Sequence, residues 1–174
     1  LCTDNCGIQR YAELLSKYMA TNYPDHMIGV CHGDPAGNQR AFSDERTAFE
    51  IMNEYTGWKW KPAPTNDPLL RFEVVRGALN RMIDGNPGIL VSPKCKMIRK
   101  GFTGGYHYKP IKSGNSTQFH DTPNKNDYSH PHDALQALLL GGGEHNVILN
   151  KAKRNAPSQN KGMAKDVDYD IFGQ

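Results

Sequence analysis

No run of apolar residues in this sequence is long enough to cross a bilayer; the longest are short and bounded by Gly, Pro or His. Nor is there a signal peptide or lipidation motif, so a cytoplasmic, reducing location is expected, without membrane partners. Cysteine is scarce. Of the four, only Cys2 and Cys6 are close, Cys31 and Cys95 standing apart, and no second pair completes a zinc-site spacing. All four read as reduced thiols. The nucleotide-binding pattern Gly-x-x-x-x-Gly-Lys-Ser/Thr does not occur. Gly101-Phe102-Thr103-Gly104-Gly105 lacks the lysine and hydroxyl pair that phosphate and magnesium require, so ATP is not expected to bind. A Gly-x-Ser-x-Gly turn is also missing, and seven histidines select no nucleophile, which makes a Ser/His/Asp hydrolase a poor reading.

What is present fits one domain, since 174 residues is a common single-domain length. A hydrophobic fraction of only 37%, with 17 glycines and 11 prolines, predicts a compact body carrying long loops or an unpacked tail. The net charge of +3 does not by itself demand a polyanionic partner. Its distribution is more telling. Between Lys94 and Lys125 lie Lys94, Lys96, Arg99, Lys100, Lys109, Lys112 and Lys125 against a single acid, Asp121, with Phe102, Tyr106, Tyr108 and Phe119 interleaved. Such a surface can track nucleic-acid phosphates, although charge alone equally fits a solvated face.

Periodicity divides the body into alternating helices and strands. Ile8, Tyr11, Ala12, Leu14, Leu15, Tyr18 and Met19 predict a helix over 7–22, with Asp4 and Asn5 as candidate caps. Met27 to Cys31 suits a buried strand, and the turn chemistry that follows, His32 to Gly37, places Asp34 at the strand's C-terminal end. Ser43 can cap a second helix running to about Tyr55. Lys59 to Pro64 is a strand or an extended segment, and Asn66-Asp67-Pro68 opens a third helix with an apolar stripe of Leu69, Phe72, Val75, Ala78, Leu79, Met82 and Ile83. Gly88 to Ser92 reads as another buried strand, and Pro93 begins a short helix ending at Gly101. A hairpin is expected over 103–120, turning at Ser113-Gly114-Asn115. The last predicted helix begins at Ser129-His130-Pro131 and stops at Gly141-Gly142-Gly143. The domain is thus drawn as 1–143, with 144–174 as a mobile tail, and the class as α/β.

Two carboxylates stand out by position. Asp34 ends a strand, where sites form in open α/β sheets. Asp133 falls in the first turn of the last helix, three residues after His130. That spacing can set His130 and Asp133 on one face with Ala134 and Ala137, while Leu135, Leu138 and Leu139 turn elsewhere. Taken singly, Asp133 is a dipole-favoured first-turn acid, Asp34 a turn aspartate before proline, His130 a capping residue and His132 a solvent-exposed histidine. Their combination carries the argument.

Gly33-Asp34-Pro35-Ala36-Gly37 and Tyr128-Ser129-His130-Pro131-His132-Asp133-Ala134-Leu135-Gln136 resemble the two acidic motifs in the C-terminal nuclease of bacteriophage large terminases. Pro64-Thr65-Asn66-Asp67-Pro68, Ile89-Leu90-Val91-Ser92-Pro93 and Lys100-Gly101-Phe102 also look like that family, in the expected order, so the resemblance covers roughly 7–143. It implies a ribonuclease H-like fold, a mixed central sheet flanked by helices. The implied activity is metal-dependent endonucleolytic cutting of concatemeric double-stranded viral DNA in the host bacterial cytoplasm. Asp34 and Asp133 would be metal ligands and His130 a third ligand or proton carrier, with Mg2+ or Mn2+, two ions in the complete domain, as the expected cofactor. The small terminase subunit and the procapsid portal would be partners. The family's first catalytic aspartate lies on a first strand, and this sequence is expected to begin beyond the first strands and so to cut poorly by itself. Two other readings stay open: a noncatalytic DNA-binding or portal-docking module, and another ribonuclease H-like enzyme such as a resolvase or transposase.

Overall fold

The computed structural model describes residues 1–40, 46–113 and 116–155, with side chains except at 112–113, 116–117 and 151–155. Its class is mixed α/β, with six α-helices and three two-stranded sheets among the described residues. The first helix, α1 (Ile8–Asn22), starts at Gly7 without a side-chain cap, so neither Asp4 nor Asn5 serves that role. It packs against α2 (Ala48–Thr56) and buries Ala12. Helix α2 is closed by a reciprocal box. Thr47 Oγ1 accepts from the Glu50 amide while Glu50 accepts from the Thr47 amide, satisfying two donors that a helix start leaves open. Thr47 thus supplies the cap; Ser43 lies outside the described residues.

The strand preceding Asp34 runs Val30–Gly33 (β1), later than expected, and Met27 projects into solvent. It pairs in parallel with β2 (Lys59–Pro62), Val30 opposite Lys59 and Gly33 opposite Pro62. Pro62 is tolerated at the end of an edge strand because no ladder donor is needed there. Among the described residues no larger central sheet of the kind the resemblance implies is formed; this parallel pair is one of three separate two-stranded sheets.

Asp67 caps α3 (Pro68–Asn80) by accepting from the Leu69 amide. The buried face of α3 follows the expected stripe in part, through Ala78 and Val75. Val74 and Ala78 are buried with Leu70 and Val75 beside them, whereas Leu69 is 76% exposed. Ile148 of a later helix packs against this core and comes near Gly77. Met82 and Ile83 leave the helix altogether and form β3 (Met82–Ile83), paired antiparallel with β4 (Asn86–Pro87). Asp84 and Gly85 both take positive φ, 50° and 80°, as a two-residue hairpin turn of matching twist requires. The strand expected over 88–92 does not form, and Leu90 is 84% exposed.

Helix α4 (Lys96–Lys100) runs into a wide turn over Gly101–Gly105. Strands β5 (Tyr108–Ser113) and β6 (Ser116–Pro123) make the expected hairpin, reaching further along the chain, with Gly114 and Asn115 outside the described residues. Helix α5 (Ser129–Gly141) packs on β1 and α3. Residues 144–155, expected to begin a loose tail, form helix α6 (Glu144–Asn155) instead, while 156–174 lie outside the described residues. Two features hold α6. Ile148 joins the core of Ala63, Val74, Ala137 and Leu140, and Glu144 takes both terminal nitrogens of Arg81 at 2.7 and 2.6 Å. A fork-to-fork pair of this kind fixes orientation as well as charge.

Candidate active site

Asp34 stands where β1 ends, exposed, and its carboxylate accepts from the Ala36 amide at 2.9 Å as the cap of the short 3-10 turn Pro35–Asn38. That bond fixes the direction of the side chain. Asp133 comes from α5 and faces the same small cleft, which both carboxylates line together with Pro35, Ala63, Thr65, Asn66 and Arg71. Packing of α5 on β1 brings them there. His32, in β1, lies against Gly141 at the other end of the helix so closely that a Cβ on Gly141 would overlap the imidazole. Ala137, one turn beyond Asp133, is buried in the core, consistent with a small residue allowing close approach. The cleft measures about 10 Å3, room for roughly one water.

Asp133 is not a first-turn acid: counted from Ser129 it stands in the second turn, beyond the strongest reach of the helix terminus. Its position is set by cations. Arg71 on α3 donates to Asp133 Oδ1 at 2.6 Å, to Gln136 Oε1 at 2.8 Å and to Asn66 Oδ1 at 2.9 Å. Gln136 is itself buried and donates to the Tyr106 hydroxyl at 3.2 Å, so the guanidinium is held by two amide oxygens besides the carboxylate. Lys125 Nζ lies 3.1 Å from Asp133 Oδ2. The two cations differ sharply in freedom, for the Arg71 side chain is 18% exposed and that of Lys125 is 75% exposed.

His130 does not share this cleft. It lines an open groove of about 900 Å3 with Asp4, Tyr11, Met97, Lys125, Asp127 and Ala134. The residues expected on one helical face thus divide between two adjacent rows. His130 and Ala134 border the groove, whereas Asp133 and Ala137 border the cleft. Only Lys125 lines the groove while touching a cleft carboxylate.

His132, expected in solvent, is buried. Its Nε2–H donates to the Ile98 carbonyl at 3.1 Å, its ring stacks on Tyr106 at 4.8 Å, and Phe102 meets it edge-on. Gly101 makes the fit possible, since a Cβ there would overlap the imidazole. Burial pulls the His132 pKa down, opposed by the Ile98 hydrogen bond and the Asp133 charge, while burial pushes the Tyr106 phenol up. His132 is therefore a packing residue that joins α4 to α5.

Of the expected DNA-binding set, Lys94, Lys96, Arg99, Lys100 and Lys109 are exposed, Lys125 is exposed but paired, and the Lys112 side chain lies outside the described ones. All four cysteines are free. Among the described residues no helix is long and apolar enough to cross a membrane, and no group of three or more His, Cys, Asp or Glu is placed to hold a metal ion. The donor set of the cleft nevertheless suits a hard divalent ion. Magnesium keeps several waters and is commonly held by one or two carboxylates plus substrate phosphate, and Asp34 and Asp133, with oxygens of Thr65 and Asn66 nearby, match that demand in kind. Comparison with protein-family models, curated proteins and solved structures finds no match.

Proposed function

We propose that the Asp34–Asp133 cleft is the centre of a divalent-metal-dependent DNA endonuclease with a ribonuclease H-like fold, acting in a bacteriophage packaging terminase on double-stranded DNA. The observation that supports it most is that the two carboxylates of separate motifs line one cleft, where Arg71 also stands, while Lys125 reaches Asp133 from the adjoining groove. Magnesium or manganese held by Asp34 and Asp133 would supply activation of water and neutralisation of phosphodiester charge. The chain's own residues do the rest. Arg71 fixes the Asp133 carboxylate, the exposed Lys94, Lys96, Arg99, Lys100 and Lys109, with Lys112 on β5, hold phosphates, and His130 in the groove exchanges a proton with the severed strand.

The experiment is plasmid cleavage in magnesium or manganese. Asp34→Asn and Asp133→Asn are each expected to cut at least about 100-fold more slowly, in proteins whose circular dichroism is unchanged. Cleavage that survives both changes removes this site from consideration. The second reading, a noncatalytic DNA-binding or portal-docking module, is favoured by the cation pairing of Asp133 and predicts DNA binding with no cutting by any of these proteins.

A further inference from the structure

We propose that Lys125 is an exchangeable counter-ion of the cleft: it occupies Asp133 while the site is without metal, and a divalent ion displaces it into the groove, where its ammonium is free to take a strand phosphate. The proposal rests on the nuclease reading and adds to it a residue that couples metal loading to substrate binding.

The asymmetry around Asp133 carries the argument. Oδ1 belongs to Arg71, which cannot leave without also breaking its bonds to Gln136 and Asn66. Oδ2 belongs to Lys125, which has no other bonded partner among the described residues, sits at 3.1 Å and is mostly solvated. An exposed pair of this kind contributes little, and a flexible lysine is a strongly hydrated point charge that can trade one oxygen for another. Oδ2 is the oxygen of Asp133 that a divalent ion can win by displacing one exposed partner, since Oδ1 is held by the fixed guanidinium. The displaced ammonium has somewhere to go, because Lys125 already lines the groove beside His130, Ser129 and Asn126. A divalent ion at Oδ2 repels the ammonium beside it, so metal uptake favours release of Lys125.

The test uses the whole chain with reductively 13C-methylated lysines, followed by NMR during a magnesium titration, alongside manganese binding read by electron paramagnetic resonance. The Lys125 methyl signal, assigned by its loss in Lys125→Gln, should move on magnesium addition toward its position in metal-free Asp133→Asn, and should stay fixed when Asp133→Asn itself is titrated. Manganese should bind Lys125→Gln about 2–5-fold more tightly than wild type, the range an exposed pair's strength allows. Lys17→Gln, a neutralisation of an exposed lysine on α1 away from cleft and groove, should bind as wild type does. A Lys125 signal that does not move while manganese binds and Asp133→Asn abolishes that binding overturns the exchange and leaves the nuclease reading standing. Failure of wild type and Lys125→Gln alike to bind manganese overturns both.

Discussion

Replacing Arg71 with alanine tests whether the cation web, and not helix position, holds Asp133. The change removes three hydrogen bonds and leaves Asp133 Oδ1, Gln136 Oε1 and Asn66 Oδ1 without their donor. Breaking a fully buried ion pair costs about 3–5 kcal/mol. Here both side chains keep nearly a fifth of their exposure and Lys125 remains on the other carboxylate oxygen, so water and a second cation soften the loss. A cost of about 2–3 kcal/mol is expected, in line with losing one charge-assisted bond and two to amide oxygens. With a urea dependence of about 2 kcal/mol per molar for a domain of this size, the unfolding midpoint should fall by roughly 1–1.5 M. Adding Asp133→Asn to both backgrounds isolates the pair, and a coupling of about 1–2 kcal/mol is expected because the residues touch. Independent, additive losses, or a midpoint shift of less than about 0.3 M for Arg71→Ala, would refute the view that Arg71 positions the carboxylate.

Two further outcomes follow from the same geometry. The pKa of His132 is depressed in the fold by burial, so the unfolded chain binds the proton more readily; the stability this confers is complete above the unfolded value of about 6.5 and is lost as pH falls below it toward the folded value. The urea midpoint should therefore drop between pH 7.5 and 5.5, and drop less in His132→Gln, whose amide can still donate to Ile98; equal slopes would dismiss His132 as the titrating group. Neutralising Lys109 and Lys112 together should weaken binding of unrelated duplexes alike and flatten the salt dependence by about two in log–log slope, whereas affinity unchanged at low salt would count against the hairpin as a phosphate surface.

The carboxylates were legible in the sequence because their surroundings are local: a strand ending in Gly-Asp-Pro puts Asp34 at a sheet end whatever follows. What placed Asp133 was harder to read. Arg71 shares helical spacing with Val74 and Ala78, and a cation on the buried row of a helix is a signal that a partner waits opposite. Drawing one stripe through Leu69, Phe72 and Leu79 as well as Val75 and Ala78 hid it, because apolar residues populate both rows of α3 and only tertiary contact with α5 and α6 decides between them. The β3–β4 hairpin was announced by Asp84-Gly85, a strong local turn signal overlooked beside the longer helical pattern. Helix α6 gave less warning. Its few apolar residues cannot stabilise it alone, and its order depends on Arg81 and on the core that Ile148 joins, far away in the chain.

Helix α5 is seated at both ends by the same device, an imidazole pressed onto a glycine: His132 of the helix on Gly101, and His32 on Gly141 of the helix. Each contact is a matched volume, which binds the evolutionary histories of two positions together. An alanine at 141 becomes acceptable only in a sequence where position 32 has shrunk, and a larger residue at 101 only where 132 has. In any set of sequences sharing this fold, positions 32 and 141 should therefore change as a pair, as should 101 and 132. The distance between Asp34 and Asp133 would be the quantity their joint change preserves.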